Sequence, residues 1–203
     1  MKFWAPICFM PSQIQKLKNE LEQLKKLVHK DPLTGVYNRR GFLEWGEKFF
    51  ESAIKSSKYS GRRKNYMISS LSLVFCDLDD FKKVNDEYGH LVGDKVLKTA
   101  SSLMAGSLRV SDLICRWGGE EFAIMLVGAN LKDAFKIAEN LRKNLAKKKI
   151  LIDGKKFINI TASFGVAEIA GAKNLDDLIL KADKAMYKAK KQGKNRVVSL
   201  RHY

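Results

Sequence analysis

Two apolar segments joined through a pair of glycines constrain the fold of this chain more than any other feature. The apolar segments are residues 113–115 and 122–127, and residues 116–121 between them read Arg-Trp-Gly-Gly-Glu-Glu. Glycine adopts the positive φ that tight turns need, so the pattern predicts a β-hairpin. Adjacent glutamates form strands poorly, and glycines beside them let a bulky anion approach the backbone. The hairpin therefore predicts a metal–phosphate site as well as a turn.

A second apolar run delivers carboxylates at its end. Residues 71–76 are apolar apart from one serine, Asp77 follows directly, and Asp79 comes two residues later. A buried strand with carboxylates at its carboxyl end is a common way to hold Mg²⁺ beside a triphosphate. Because side chains alternate along a strand, we expect Asp77 and Asp79 to lie on one face.

Five ordered motifs resemble one protein family. Residues 77–94 follow the pattern D-x-D-x-F-K-x-x-N-D-x-x-G-H-x-x-G-D, and residues 116–122 follow R-x-G-G-E-E-F. This combination resembles the GGDEF family, the diguanylate cyclases. Three further segments resemble the family's opening signature, its late strand and its last helix with the following turn. These segments are residues 31–40, 161–167 and 182–195.

The resemblance implies an α/β fold of the α+β sandwich type, a ferredoxin-like palm similar to nucleotidyl cyclases and polymerases. A hairpin mixed with helical crossovers also predicts a mostly antiparallel central sheet with outer helices. We expect a short extension over 1–11, a helical stalk over 12–30 and the family domain over 31–203. The predicted helices cover about 93–107, 131–147 and 175–191, and strand material is predicted over 150–152, 157–169 and 196–200.

The segment before the domain has the pattern of a coiled coil. Its apolar residues are spaced alternately by three and four positions, at Ile14, Leu17, Leu21, Leu24 and Val28. This is a seam of two heptads, which is marginal as an isolated coiled coil. The helix either packs on its own domain or forms a homodimer as a stalk. A leucine-rich seam that ends where the domain starts favours the dimer.

The resemblance implies where metal binds and which residue assists catalysis. Asp77 and Glu120 match the family's metal ligands, and the backbone carbonyl of Leu78 completes the protein's contribution. Glu120 also matches the residue proposed to assist deprotonation of the 3′-hydroxyl, and Glu121 is a secondary metal candidate. The metal is expected to be Mg²⁺, with Mn²⁺ as an alternative. Without the resemblance, Asp77 could simply cap the segment that follows it.

Asn85 and Asp94 match the pair that reads guanine in the family. A carboxylate accepts hydrogen bonds from guanine N1–H and N2–H₂, and an amide meets the other base edge. Adenine has no donor at N1, so it would leave Asp94 unpaired and desolvated. The expected substrate is therefore GTP rather than ATP.

Basic side chains and one strand-to-helix turn are expected to hold the phosphates. Lys82 and the backbone around Asp80 and Phe81 lie at that turn, where amide groups can bind an anion. Lys190 and Lys194 match the pair that grips the terminal phosphate. The family often has arginine at the position of Lys194. Since lysine loses the bidentate geometry, we expect weaker GTP affinity rather than lost activity.

An inhibitory site is expected upstream of the hairpin. Arg109 and Asp112 form an R-x-x-D motif at the spacing at which relatives bind cyclic di-GMP, and Arg142 is a candidate for the complementary contact from a neighbouring domain. Arginine can pair with and stack on guanine, while the carboxylate reads the opposite donors. An ordinary surface ion pair is the alternative.

Charge and cysteine content limit the partners. The chain of 203 residues carries a net charge of +16, but its lysines are spread over several elements without an aromatic-interleaved motif. We therefore expect no nucleic acid partner, and an anionic nucleotide accounts for part of the positive charge. Three cysteines without metal-ligand spacing indicate reduced thiols in a cytoplasmic protein. The family resemblance implies that this cytoplasm is bacterial. The apolar stretch over 3–10 is too short to cross a membrane, so any membrane or sensor segment would lie outside this chain.

The sequence thus predicts a diguanylate cyclase that condenses two GTP into cyclic di-GMP and two pyrophosphates, in a dimer of domains. Three alternatives remain open: a catalytically silent module that senses GTP or cyclic di-GMP, an enzyme making a mixed cyclic dinucleotide, and a nucleic-acid-binding protein. A sensor module usually has a damaged signature, whereas Asp77, Asn85, Asp94 and Glu120 are all present.

Overall fold

The computed structural model describes residues 10–58, 68, 70–154 and 156–200. Within these residues the chain forms six helices and eight strands. The helices are α1 Met10–His29, α2 Arg39–Lys58, α3 Phe81–Tyr88, α4 His90–Gly106, α5 Leu131–Lys147 and α6 Leu175–Lys191. The strands are β1 Tyr37–Asn38, β2 Leu71–Leu78, β3 Leu113–Gly118, β4 Glu121–Val127, β5 Ile150–Asp153, β6 Lys156–Ile158, β7 Ala162–Glu168 and β8 Val197–Ser199.

Six strands form one sheet in the order β1-β3-β4-β2-β7-β8. Three neighbouring pairs are antiparallel, and the short strands at the two edges pair in parallel. This confirms the predicted mixed fold with a mostly antiparallel central sheet. Every residue of the central strand β2 is buried, which explains its nearly continuous apolar sequence.

Helices cover both faces of the sheet. Alternation along β2 and β4 sends Val74 and Ile124 into a core shared with α4 and α5. The neighbouring residues Phe75 and Met125 point into a second core shared with α2 and α6. The two cores hold the carboxyl end of β2 between helices, and this end carries the predicted carboxylates.

The strand material predicted over 157–169 is divided between two strands in different sheets. β6 pairs with β5 in a separate two-stranded hairpin, and β7 enters the main sheet only at Ala162. Asn159 marks the break, because its side-chain amide donates hydrogen bonds to the carbonyls of Ala146 and Lys148 at the end of α5. These contacts with the end of α5 interrupt the strand between β6 and β7.

The helix predicted from residue 93 begins earlier, and another helix precedes it. α3 ends at Tyr88, and α4 starts at His90 after Gly89 with a φ of 82°. Glycine adopts this left-handed value without the steric cost that a side chain would add. A single glycine therefore separates two helices that meet at the site described below.

α1 carries the predicted stalk. It begins at Met10 with Pro11 in its first turn, where proline is tolerated, and residues 1–9 of the predicted extension lie outside the described residues. Ile14, Leu17 and Val28 are exposed, and the side chains of the other two seam leucines also lie outside the described part. Among the described helices, none has the length and apolar character of a membrane span. Dimerisation through the seam stays a prediction.

The carboxyl end of α1 is attached to the domain. The side-chain amide of Asn38 donates a hydrogen bond to the carbonyl of Val28 at 2.8 Å. His29 Nε2 lies 2.9 Å from a carboxylate oxygen of Glu44 on α2. A Cβ on Gly41 would lie only 2.6 Å from the carbonyl oxygen of His29, so α2 approaches α1 closely at this point.

Gly165 should be essential for the packing of α6. A Cβ there would lie 2.1 Å from both the carbonyl oxygen of Ala182 and the amide nitrogen of Met186. We expect Gly165→Ala to lower the free energy of unfolding by about 3 kcal/mol, because backbone atoms of two elements would have to move. Chemical denaturation measures the change. The control Gly106→Ala, at a helical site with open space around it, should leave stability unchanged or raise it by up to about 1 kcal/mol. Equal stability of both variants would contradict the described α6–β7 contact.

Candidate functional site

The candidate site lies at the carboxyl end of β2. In the sheet register, Asp77 pairs with Glu121 on β4 and with Ser163 on β7. The amide of Leu78 donates a hydrogen bond to the carbonyl of Glu120 at 3.3 Å. The predicted metal and catalytic residues Asp77, Leu78, Glu120 and Glu121 therefore come from two adjacent strands and the turn between β3 and β4.

The carboxylates at this edge are destabilised by burial and by one another. Asp77 is 5% exposed, and burial raises its pKa, with a smaller contribution from the negative charge of Glu120. Burial also raises the pKa of Glu121, assisted by repulsion from Asp77 and Asp183. Lys190 on α6 opposes these effects, since its Nζ lies 2.6 Å from Asp77 Oδ2. The site therefore concentrates negative charge that a cation would stabilise.

The donor set fits a magnesium ion that also contacts substrate. The described residues contain no group of three or more histidine, cysteine or acidic side chains arranged for a metal. Magnesium needs fewer protein ligands, because it keeps waters and takes one or two carboxylates together with phosphate oxygens. Asp77, Glu120 and the carbonyl of Leu78 provide such a partial set.

Asp79 forms its hydrogen bonds within the protein, whereas strand alternation predicted only that it shares a face with Asp77. Its side chain is 4% exposed, and its two carboxylate oxygens accept three hydrogen bonds. The donors are the hydroxyls of Thr161 and Ser163, at 2.7 and 2.6 Å, and the backbone amide of Asn195 at 3.0 Å. Asp79 therefore joins β2, β7 and the turn after α6. The polar residues at alternate positions 161 and 163 are the signal that could have predicted these contacts.

Asp80 and the start of α3 form the predicted phosphate turn. Asp80 has a φ of 55° and makes no side-chain cap to α3. Its carboxylate instead contacts Lys194 at 2.9 Å and Lys83 at 2.8 Å, and hydrogen bonds from these two lysines lower its pKa to about 2. Lys82 is exposed on the first turn of α3, whereas Phe81 is buried in the core, which leaves only its backbone for a ligand.

The predicted guanine readers lie on two neighbouring helices, Asn85 on α3 and Asp94 on α4. A Cβ on Gly93 would lie 1.9 Å from Asn85 Oδ1, so the Asn85 side chain rests directly against the backbone of α4. Asp94 is the next residue after Gly93 and is half-buried. The absence of a side chain at Gly93 therefore leaves room for the Asn85 amide against α4, one position before Asp94 in the chain.

Arg116 holds the turn of the hairpin. Its Nε donates a hydrogen bond to the carbonyl of Gly119 at 2.8 Å, and Gly119 has a φ of 50°. A second guanidinium nitrogen lies 3.4 Å from Asp31, whose carboxylate also accepts from the amide and hydroxyl of Thr34. The turn carrying Glu120 is thus connected to the segment just after α1. The contact between Arg116 and Asp31 was not predicted, because it joins residues 85 positions apart.

Two of the three predicted inhibitory residues lie in the turn before β3, and the third lies on α5. Asp112 accepts hydrogen bonds from the backbone amides of Arg109 at 2.9 Å and Val127 at 3.1 Å, and Arg109 is exposed. The carboxylate therefore shapes a turn rather than forming a simple ion pair. Arg142 lies on α5 and contacts Glu139 and Asn195. Its predicted role as the complementary contact involves a neighbouring domain and stays a prediction.

Comparison with known proteins identifies a family for this chain. Residues 28–196 match the model described as "Diguanylate cyclase, GGDEF domain". The chain is 36% identical over 184 residues to the response regulator PleD of Caulobacter vibrioides. That alignment covers 90% of this chain but only 38% of PleD, so the chain spans less than half of this relative's length.

Solved structures with similar folds carry the same type of domain. The diguanylate cyclase SiaD of Pseudomonas aeruginosa, solved in complex with its activator SiaC, is 33% identical with a TM-score of 0.76. That match covers 93% of this chain and 68% of SiaD. The active GGEEF domain of a diguanylate cyclase from Vibrio cholerae is 29% identical with a TM-score of 0.69. It covers 82% of this chain and 98% of the other.

Asp79 should contribute to stability far more than its neighbour Asp80. Asp79→Ala leaves three donors without their acceptor in a buried place, so we expect the free energy of unfolding to fall by about 3 kcal/mol. Asp80→Asn is the control, because asparagine tolerates the left-handed backbone at this position, and the exposed ion pairs of Asp80 predict a loss below about 1 kcal/mol. Urea denaturation of both variants gives the comparison. A loss at Asp80 as large as that at Asp79 would contradict the structural role of the three hydrogen bonds.

Proposed function

Because the chain belongs to the diguanylate cyclase GGDEF-domain family, we propose that it condenses two GTP into cyclic di-GMP with release of two pyrophosphates. Each domain binds one GTP, and two domains face each other so that each 3′-hydroxyl reaches the α-phosphorus of the other nucleotide. The Vibrio cholerae structure supports this proposal, since it is the active domain of a diguanylate cyclase and has the same GGEEF signature.

One observation carries the proposal: Asp77 and the turn bearing Glu120 are adjacent at the buried edge of the sheet, with Lys190 beside them. Two carboxylates placed in this way can bind a divalent cation that also contacts a phosphate chain. Without the cation and the phosphate chain the arrangement is costly, because burial and mutual repulsion both disfavour the charged forms.

The protein's own groups supply binding, orientation and proton transfer. Magnesium, when bound, would neutralise charge on the phosphates and lower the pKa of the attacking hydroxyl. Asp77, Glu120 and the carbonyl of Leu78 would hold it. Glu120 would also accept the proton from the 3′-hydroxyl. Lys190 and Lys194 would balance charge on the departing pyrophosphate, which improves the leaving group.

Guanine selectivity rests on Asn85 and Asp94. Asp94 accepts from guanine N1–H and N2–H₂, while Asn85 meets the N3 or O6/N7 edge. ATP would leave the Asp94 carboxylate desolvated and unpaired, and sites built around such hydrogen bonds reject analogues that lack the donor. The close contact of Asn85 with Gly93 supports this role, because it restricts where the amide can lie.

Product inhibition is proposed at the turn that contains Arg109 and Asp112. Arg109 is exposed and free to stack on a guanine base, while the turn itself is held by hydrogen bonds from two backbone amides to Asp112. Cyclic di-GMP bound there would keep two domains from meeting face to face. Among the structures similar to this chain is a GGDEF domain of DgcB from Caulobacter crescentus in complex with c-di-GMP.

Glu120→Gln tests the enzymatic proposal. We expect the rate of cyclic di-GMP formation from GTP and Mg²⁺ to fall by about a hundredfold or more, because the variant loses both a metal ligand and the proton acceptor. Glu51→Gln, at an exposed surface ion pair on α2, is the control and should keep full activity. Product is quantified by chromatography. Absence of product from the unaltered chain at any protein concentration, with GTP or cyclic di-GMP still bound, would favour a sensor module and contradict the proposed reaction.

Leu17→Lys tests dimerisation through the α1 seam. Leu17 is 64% exposed in the single chain, and a two-chain coiled coil would bury it in both copies. If each copy loses about 1.5 kcal/mol of burial free energy, the dissociation constant of the dimer should rise roughly a hundredfold. The rate of product formation per chain should then fall at low protein concentration. Asn19→Lys adds the same charge on the opposite side of the helix and should change neither quantity. Sedimentation velocity showing equal dimerisation of both variants would rule out the seam as the contact.

A further inference from the structure

The turn that follows α6 has an unusual backbone. Three consecutive residues have positive φ, namely Gly193 at 109°, Lys194 at 61° and Asn195 at 45°. Residues other than glycine adopt this left-handed conformation at a cost, and two in succession persist only when the surrounding contacts hold them there. Lys194 is one of the two lysines proposed to grip the terminal phosphate, so these contacts determine where its amine lies.

Asn195 is held from two sides. Its amide donates to Asp79 Oδ2 at 3.0 Å. One terminal guanidinium nitrogen of Arg142 donates to the Asn195 side-chain oxygen at 2.8 Å and to its carbonyl at 3.3 Å. Lys194 itself is fixed through its backbone, since its amide donates to the Ala189 carbonyl at 3.1 Å.

Arg142 is itself rigidly placed. Its Nε and its other terminal nitrogen donate to the two carboxylate oxygens of Glu139, at 2.8 and 2.7 Å. Its side chain is only 18% exposed. A bidentate contact of this kind fixes both the position and the plane of the guanidinium. Every guanidinium nitrogen of Arg142 therefore donates either to Glu139 or to Asn195.

We propose that Arg142 is a positioning residue that holds the turn at Lys194 and thereby sets the affinity for the terminal phosphate of GTP. This inference rests on the proposed function of Lys194, and the predicted contact of Arg142 with inhibitor in a neighbouring domain stays a separate prediction. The guanidinium acts through Asn195 and touches neither substrate nor metal. Glu139 supports it from α5, so a helix distant in sequence stabilises the phosphate-gripping turn.

Steady-state kinetics of Arg142→Gln test the proposal. We expect the KM for GTP to rise about three- to tenfold, because the variant loses one charged hydrogen-bond contact. The kcat should stay within about twofold of the unaltered value. Arg142→Lys keeps the charge without the planar fork and should give an intermediate KM. Lys136→Gln, at an exposed ion pair with Asp133 on the same helix, is the control and should match the unaltered chain. In a Lys194→Ala background, Arg142→Gln should add nothing, because it acts only through that residue.

Hydrogen exchange gives a readout that does not depend on activity. In Arg142→Gln the amides of residues 192–196 should exchange faster, while those of α4 should be unchanged. Unchanged exchange in the turn would overturn the proposal even if catalysis were affected. A weakened inhibition by cyclic di-GMP with an unchanged KM for GTP would also overturn it and would assign Arg142 to the inhibitory site. If the unaltered chain makes no product, the proposed function fails, and exchange still decides whether Arg142 holds the turn.

Discussion

The ion pair between Asp77 and Lys190 is the contact on which the site depends. A carboxylate at the end of a fully buried strand is unfavourable unless a positive charge lies close to it. Lys190 reaches Asp77 because α6 lies directly on β7 at Gly165, where any side chain would separate the two elements. The packing of α6 in the second core therefore also determines the electrostatics of the site. Both depend on the absence of a side chain at Gly165 in β7.

The same end of β2 carries two further aspartates with different partners. Asp79 is buried and accepts hydrogen bonds from three donors, whereas Asp80 is exposed and paired with Lys194 and Lys83. One aspartate thus serves the fold and two face the proposed ligand. The lysines that now contact these carboxylates are also the groups proposed to bind phosphate. Binding of Mg²⁺ with GTP would exchange internal ion pairs for contacts with ligand.

The sequence predicted correctly those strands, helices and turns whose formation depends on residues close together in the chain. Apolar runs and turn residues gave β2, the β3–β4 hairpin and the helices α5 and α6 nearly at their observed bounds. The family motifs were enough to predict that Asp77 and Glu120 meet. The break at Asn159, the contact of Arg116 with Asp31 and the left-handed turn at Asn195 were not predicted. Each of these depends on hydrogen bonds between segments far apart in the chain, and periodicity within one segment carries no information about them.

Equilibrium binding of GTP with and without Mg²⁺, to the unaltered chain and to Asp77→Asn, tests the central claim most directly. The claim is that the buried carboxylate is maintained in order to bind a metal together with a nucleotide. It predicts that Mg²⁺ strengthens GTP binding to the unaltered chain and that this enhancement is lost in Asp77→Asn. An equal effect of Mg²⁺ on both proteins, or no GTP binding to either, would contradict the assignment of this edge of the sheet as the metal–nucleotide site.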